Sequence, residues 1–158
     1  MSALPHLALV RIRGQNPAVT LFADHSREQL RRTYRDVWCK WREQLPLQPL
    51  EMQIADVIRE HAQYHDLLLA DTSLEQEFEA GGENPFLHLG LHLALREQVS
   101  TDRPAGIAAV HRQLTGLSQS AHLAEHRMME VLAGVLAEVQ HGRHPASEAK
   151  YLERLRRL

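Results

Sequence analysis

An all-α fold of about six helices in one compact bundle is predicted for this chain by three features of its sequence. Apolar residues recur at helical spacing in several separate stretches, no alternating strand pattern of any length appears, and helix-ending residues punctuate the stretches. At 158 residues, the chain fits one domain large enough to bury a working core. Residues 1–23 stand apart. They carry Pro5, Gly14 and Pro17 and no sustained helical period, and so read as an N-terminal extension or loosely ordered arm ahead of a helical domain over residues 24–158.

Each helix has its own local warrant. Ser26-Arg27-Glu28-Gln29 spells a capping box, and Leu30, Tyr34, Val37, Trp38, Trp41 and Leu45 mark one face of the helix it opens. Pro46 stops that helix, and Pro49 opens the next. The second helix carries Ile54, Val57, Ile58, His61, His65 and Leu68 along a single stripe, with no Gly or Pro inside it. After a loop containing Gly81-Gly82, Asn84 and Pro85 form an N-cap and first-turn pair. The third helix, FLHLGLHLALREQV, is apolar on most sides, which marks a central buried helix. Thr101-Asp102-Arg103-Pro104 restarts the chain into a shorter helix near residues 104–116. A fifth runs from about Ser120 to His141 with Gly142 as its C-terminal cap, and Pro145 opens a last amphipathic segment with Tyr151, Leu152 and Leu155.

Composition narrows the function. A formal net charge of −2 with mixed signs throughout argues against a nucleic-acid or anionic-membrane partner. Cys39 is the only cysteine, which excludes an intrachain disulfide and a cysteine-based zinc site. No apolar run approaches the ~20 residues of a membrane span, and the N-terminus lacks the basic and apolar regions of a signal peptide, so a cytoplasmic location is expected.

Histidine carries the chemistry. Among eleven histidines, three pairs stand four residues apart: His61/His65, His88/His92 and His122/His126. Chance at this composition yields roughly one such pair. Residues four apart share a helix face, so each pair offers two imidazoles to one point in space. Helical angles place His88 and His92 among Leu91, Leu95 and Val99 inside the apolar arc, and place His122 and His126 beside Met129, Ala133 and Ala137. A buried imidazole needs partners for both ring nitrogens, and each unsatisfied polar group costs ~1–3 kcal/mol. A shared divalent transition metal, zinc or iron above all, would satisfy several at once. The expected ligands are therefore His88, His92, His122 and His126, with Glu130 completing or orienting the shell and His61 and His65 as a conditional third pair. The competing expectation is that each histidine is an individually hydrogen-bonded core or boundary residue.

His122-Leu-Ala-Glu125-His126 also spells H-x-x-E-H, an inverted zinc-peptidase motif whose glutamate is the general base. The short pattern arises easily in a chain rich in histidine and glutamate, and only 32 residues follow His126. Glu125 stands as the candidate catalytic base of a metal-dependent hydrolase or transferase acting on an unidentified small molecule. The alternative is a non-catalytic interaction module with core histidines, no metal, and a protein or a second copy of itself as partner.

The run Asn84-Pro85-Phe86-Leu87-His88-Leu89-Gly90-Leu91-His92-Leu93-Ala94-Leu95-Arg96-Glu97-Gln98 resembles the signature of a proteobacterial family, domain of unknown function 1841. Thr101 to Ile107 and Ala124-Glu125-His126 with Met129-Glu130 are similar to it as well, and weaker similarity reaches back to about residue 25. The resemblance implies a small helical cytoplasmic protein with no assigned activity. One departure touches the site: in the family pattern proline often follows the first histidine of the His61 segment, where this chain has Ala62.

Overall fold

A computed structural model describes residues 27–70, 74, 76–78, 84–141 and 147–158. The expected arm over residues 1–23, and Ser26, Gly81-Gly82, Gly142 and Pro145, lie outside the described residues. Among those described, the chain is all-α: α1 (Arg27–Arg42), α2 (Pro49–Arg59), a 3₁₀ turn (Ala62–Tyr64), α3 (His65–Leu69), α4 (Pro85–Thr101), α5 (Ile107–Ser118), α6 (Ala121–Gln140) and α7 (Glu148–Arg156). Two compact units divide it, the first over residues 24–93 and the second beginning at Ala94, so that the division falls inside α4.

In the first unit, α1 and α2 form a helical hairpin. Tyr34, Val37 and Trp38 on α1, and Ile54, Ala55, Val57 and Ile58 on α2, are buried. The α1 stripe is narrower than its periodicity predicts. Trp41 and Leu45 are 38% and 48% exposed, and Arg31 is buried in their stead at the other end. Trp41 stacks flat on Trp38 with ring centroids 4.9 Å apart, and the Arg59 guanidinium covers it at 5.4 Å. The helix ends before Pro46 is reached. Gln44 takes a left-handed conformation (φ 57°), Leu45 N–H donates to the Lys40 carbonyl and Gln44 N–H to that of Trp41, the paired bonds of a Schellman motif. α2 begins with Pro49 in its first turn, and Glu51 reaches back to accept from the Gln48 N–H at 2.8 Å.

The second helix does not run on through His65 as its stripe predicts. Continuing it would require His61 N–H to donate to the Val57 carbonyl. That carbonyl instead accepts from His61 Nδ1 at 2.7 Å, while His61 N–H tightens onto the Ile58 carbonyl. A side chain has displaced the backbone as donor, and the helix closes without glycine or proline. This break is why seven α-helices appear among the described residues where about six are expected.

In the second unit, α5 and α6 are joined by a short turn, and α7 packs on both. Their buried faces carry Ile107, Val110 and Leu114, then Ala124, Met128, Met129 and Leu132, then Tyr151, Leu152 and Leu155. Caps set the helix starts. Ser120 Oγ accepts from Leu123 N–H, and Ser147 Oγ from Lys150 N–H. Asp102 serves two helices: its left-handed backbone (φ 48°) closes α4, and its carboxylate accepts from the N–H groups of Gly106 and Ala108 at 3.0 Å to open α5. α4 starts as its sequence predicts, with Asn84 Oδ1 accepting from Phe86 and Leu87 N–H ahead of the apolar run. Phe86, Leu89, Leu91, Leu93, Ala94 and Leu95 are all buried, which makes α4 the buried helix expected.

Glu51 also accepts from Lys40 Nζ at 2.6 Å, and these two hydrogen bonds hold its carboxyl below the ordinary carboxylate pKa. A depressed carboxyl adds stability above its unfolded-state pKa and loses it as pH falls through the folded value. Glu51→Gln is therefore expected to melt below the native protein at pH 7. The gap closes as pH drops below the ordinary carboxylate range of about 4, and melting curves across pH 3–7 measure it.

Candidate metal centre

The first unit gathers three histidines. His61 and His92 are 0% exposed, and His88 is half-buried. His88 Nε2 lies 3.0 Å from His61 Nε2. Ring centroids stand 4.8 Å apart for His61 and His88, 4.6 Å for His61 and His92, and 5.1 Å for His88 and His92, with the planes crossed at 60–75°. Tyr64 stacks parallel to His61 at 5.7 Å and meets His88 edge-on at the same separation. His61 is held from behind by Val57, so its Nδ1 carries the proton and its Nε2 presents a lone pair toward His88.

His65 takes a different role from the one its spacing predicts. Its Nε2 bonds to the Ile58 carbonyl at 2.9 Å, and its ring packs against Trp38 with centroids 4.3 Å apart. The helix break between His61 and His65 removes the shared face that would have paired them. His61 and His65 are instead the two imidazole caps of α2, one on Val57 and one on Ile58. Both place an N–H at the negative end of the helix dipole. His61 alone of the pair also faces the histidine cluster.

In the second unit, His122 and His126 do share a face of α6, with ring centroids 4.3 Å apart. Glu130, one turn further along, is exposed. Glu125 is buried and held by Arg96: Nε lies 3.0 and 3.1 Å from its two oxygens, and Nη2 lies 3.0 Å from Oε2. A carboxylate gripped at both oxygens by a guanidinium is committed to that pair. The structure therefore places Glu125 in an ion pair joining α4 to α6, where the H-x-x-E-H spelling predicts a free base. Of the expected site residues, then, the structure brings together His61, His88 and His92 in one unit and His122 with His126 in the other.

Three contributors escape sequence reading. Arg96 sits 29 residues from Glu125, and no periodicity links them. The Val57 carbonyl has no side-chain signature at all. Tyr64 stands at i+3 from His61, a spacing that shares a helix face, but a tyrosine there carries no ligand signature.

A family model for a domain of unknown function, DUF1841, matches residues 26–157, and the chain belongs to that family, as its central run predicts. No curated protein and no solved structure matches the chain. Among the described residues, no helix is long and apolar enough to cross a membrane.

The Arg96–Glu125 pair yields a stability prediction. Arg96→Met leaves a buried carboxylate without its cation and is expected to cost about 3 kcal/mol. Adding Glu125→Met to it recovers most of the loss, and urea denaturation of both single variants and the double variant measures the coupling.

Proposed function

We propose that this domain binds a divalent transition metal, zinc or iron, through His61, His88 and His92, and that it serves hydrolysis or group transfer on a small molecule. The observation that carries the reading is the 3.0 Å approach of the two Nε2 atoms of His61 and His88. Two imidazole nitrogens bound to one ion at 2.0–2.1 Å lie roughly 2.9–3.4 Å apart in octahedral or tetrahedral geometry. The same approach without an ion is a single N–H···N bond, with His88 Nε2 as donor. Exchanging that proton for an ion requires only that His88 adopt its Nδ1–H tautomer, so both rings stay neutral. His92 is the third imidazole, fully buried beside His61.

Support also comes from the hydrogen bond behind the ligand. Histidine ligands characteristically donate their other N–H to a carbonyl or carboxylate, which fixes the tautomer and raises basicity. His61 Nδ1–H on Val57 has that form. When bound, the ion supplies Lewis-acid polarisation of a carbonyl or phosphoryl oxygen. The chain's own part is to hold the imidazoles of His61, His88 and His92 side by side, with His61 fixed by its bond to Val57.

Elemental analysis of untagged protein is the test, and about one zinc or iron per chain is expected, with a lowered melting temperature after chelation. Substoichiometric metal together with an unchanged melting temperature sinks the reading. His88→Gln, which leaves the Val57 bond in place, is expected to lose the metal. His65→Ala is expected to keep it while melting slightly lower for want of a helix cap. His122→Ala/His126→Ala in the same measurement tests the ligand roles that their spacing predicts.

A further inference from the structure

The solvent face of α6 carries a stripe at helical spacing: Leu123, Arg127, Glu130 and Gly134 stand at i, i+4, i+7 and i+11. It lies opposite the buried face formed by Ala124, Met128 and Leu132. Leu123 is 52% exposed, Glu130 and Gly134 are exposed, and Arg127 is half-buried. A Cβ placed on Gly134 would meet no atom within 4 Å, so the helix surface is bare at that point. The two charges of the stripe are not spent on each other or on a neighbouring side chain. Glu138, further along α6, is taken by Arg154 at 2.8 Å, whereas Glu130 makes no ion pair with another described residue of its own chain. Arg127 donates from Nη2 to the Leu158 carbonyl, which steadies the guanidinium and leaves most of its five N–H donors uncommitted.

The order of these four residues is self-complementary. Turned end for end, the stripe sets Arg127 against Glu130 and Leu123 against Gly134, because both pairs are centred on the same point between Met128 and Met129. A cation then meets an anion and a leucine meets bare backbone, each twice, over about 16 Å of helix. A parallel alignment would oppose Arg127 to Arg127 and Glu130 to Glu130, and like charges in register repel. A two-fold axis is the symmetry that lays residue i on residue j and j on i.

We propose that α6 pairs antiparallel with α6 of a second copy of this chain. Arg127 meets the partner's Glu130 near the two-fold axis, and Leu123 seats on the partner's Gly134 at each end. The bare surface at Gly134 lets the helix axes approach to about 8 Å, the close end of helix packing. Leu117, 69% exposed on the other side of the α5–α6 turn, adds apolar surface at the same end as Leu123. The contact is small and exposed ion pairs contribute little, so a weak dimer in exchange with monomer is expected. The pairing is independent of the histidine cluster and needs no metal.

Sedimentation velocity of the untagged full chain over a wide range of concentration is the test. The mean sedimentation coefficient is expected to rise toward that of a dimer and no further, because a two-fold contact closes. Glu130→Arg opposes arginine to arginine and is expected to weaken dimerisation by about tenfold or more. Arg127→Glu/Glu130→Arg exchanges the charges at constant net charge and is expected to restore it. Gly134→Gln fills the seat of Leu123 and loses the dimer. Its melting temperature, taken at a dilution where the native protein is monomeric, is expected to be no lower, because glycine is the poorer helix former. A monomer at every concentration overturns the proposal. So does association that continues beyond the dimer, or a dimer unchanged in Glu130→Arg or in Gly134→Gln, since each assigns assembly to another face. An exchange variant that melts like the native protein yet stays monomeric overturns it as well. The same measurement after chelation separates it from the metal reading: an unchanged dimer supports the α6 pairing, and its loss assigns the dimer to a bridging ion and overturns the proposal.

Discussion

The Val57 carbonyl accepts from the imidazole of His61 where a continuing helix would have offered the backbone N–H of the same residue. That exchange ends α2 without a breaker residue, turns the chain through a 3₁₀ segment, and leaves His61 Nε2 pointing toward His88. One hydrogen bond therefore sets both the local topology and the orientation of a fully buried imidazole in the cluster. Its partner bond, from His65 to Ile58, satisfies the next carbonyl and withdraws His65 from the cluster. The division of labour between two histidines four residues apart follows from which carbonyl each one reaches.

Burying polar groups is the recurring cost of this structure, and it is met differently in each unit. In the second, Glu125 and Arg96 satisfy one another through three hydrogen-bond contacts, which fixes α6 against α4 by geometry as much as by energy. In the first, Arg31 is surrounded by carbonyls and aromatic faces, while Tyr34 and Trp38 bring donors into the same interior. Such polar interiors are poor stabilisers beside well-packed apolar ones.

The helix ends were largely legible. Asn84-Pro85 and Ser120 act as local capping signals, because a cap depends on residues two or three apart, whereas Ser147 caps a last helix whose expected opening is Pro145. The burial of α4 was legible too, since FLHLGLHLALREQV has almost no polar side to expose. The α1 stripe was overextended at Trp41 and Leu45, because periodicity reports which residues share a face and not where the covering helix stops. The Schellman turn at Gln44 was invisible in composition, as glutamine is not a residue that announces a left-handed backbone.

By itself, then, the sequence determined an all-α protein, the main helix starts, family membership and the residue type that clusters at the candidate site. Those features rest on local spacing and on long matched runs, both of which are one-dimensional. Only the tertiary structure decided which histidines meet, because that depended on a carbonyl choosing between two donors on the same residue. It also decided that Glu125 is committed to Arg96, a pairing across 29 residues that no period encodes. Long-range pairing of polar groups is settled by how helices pack, and the packing is not written in any short window of the chain.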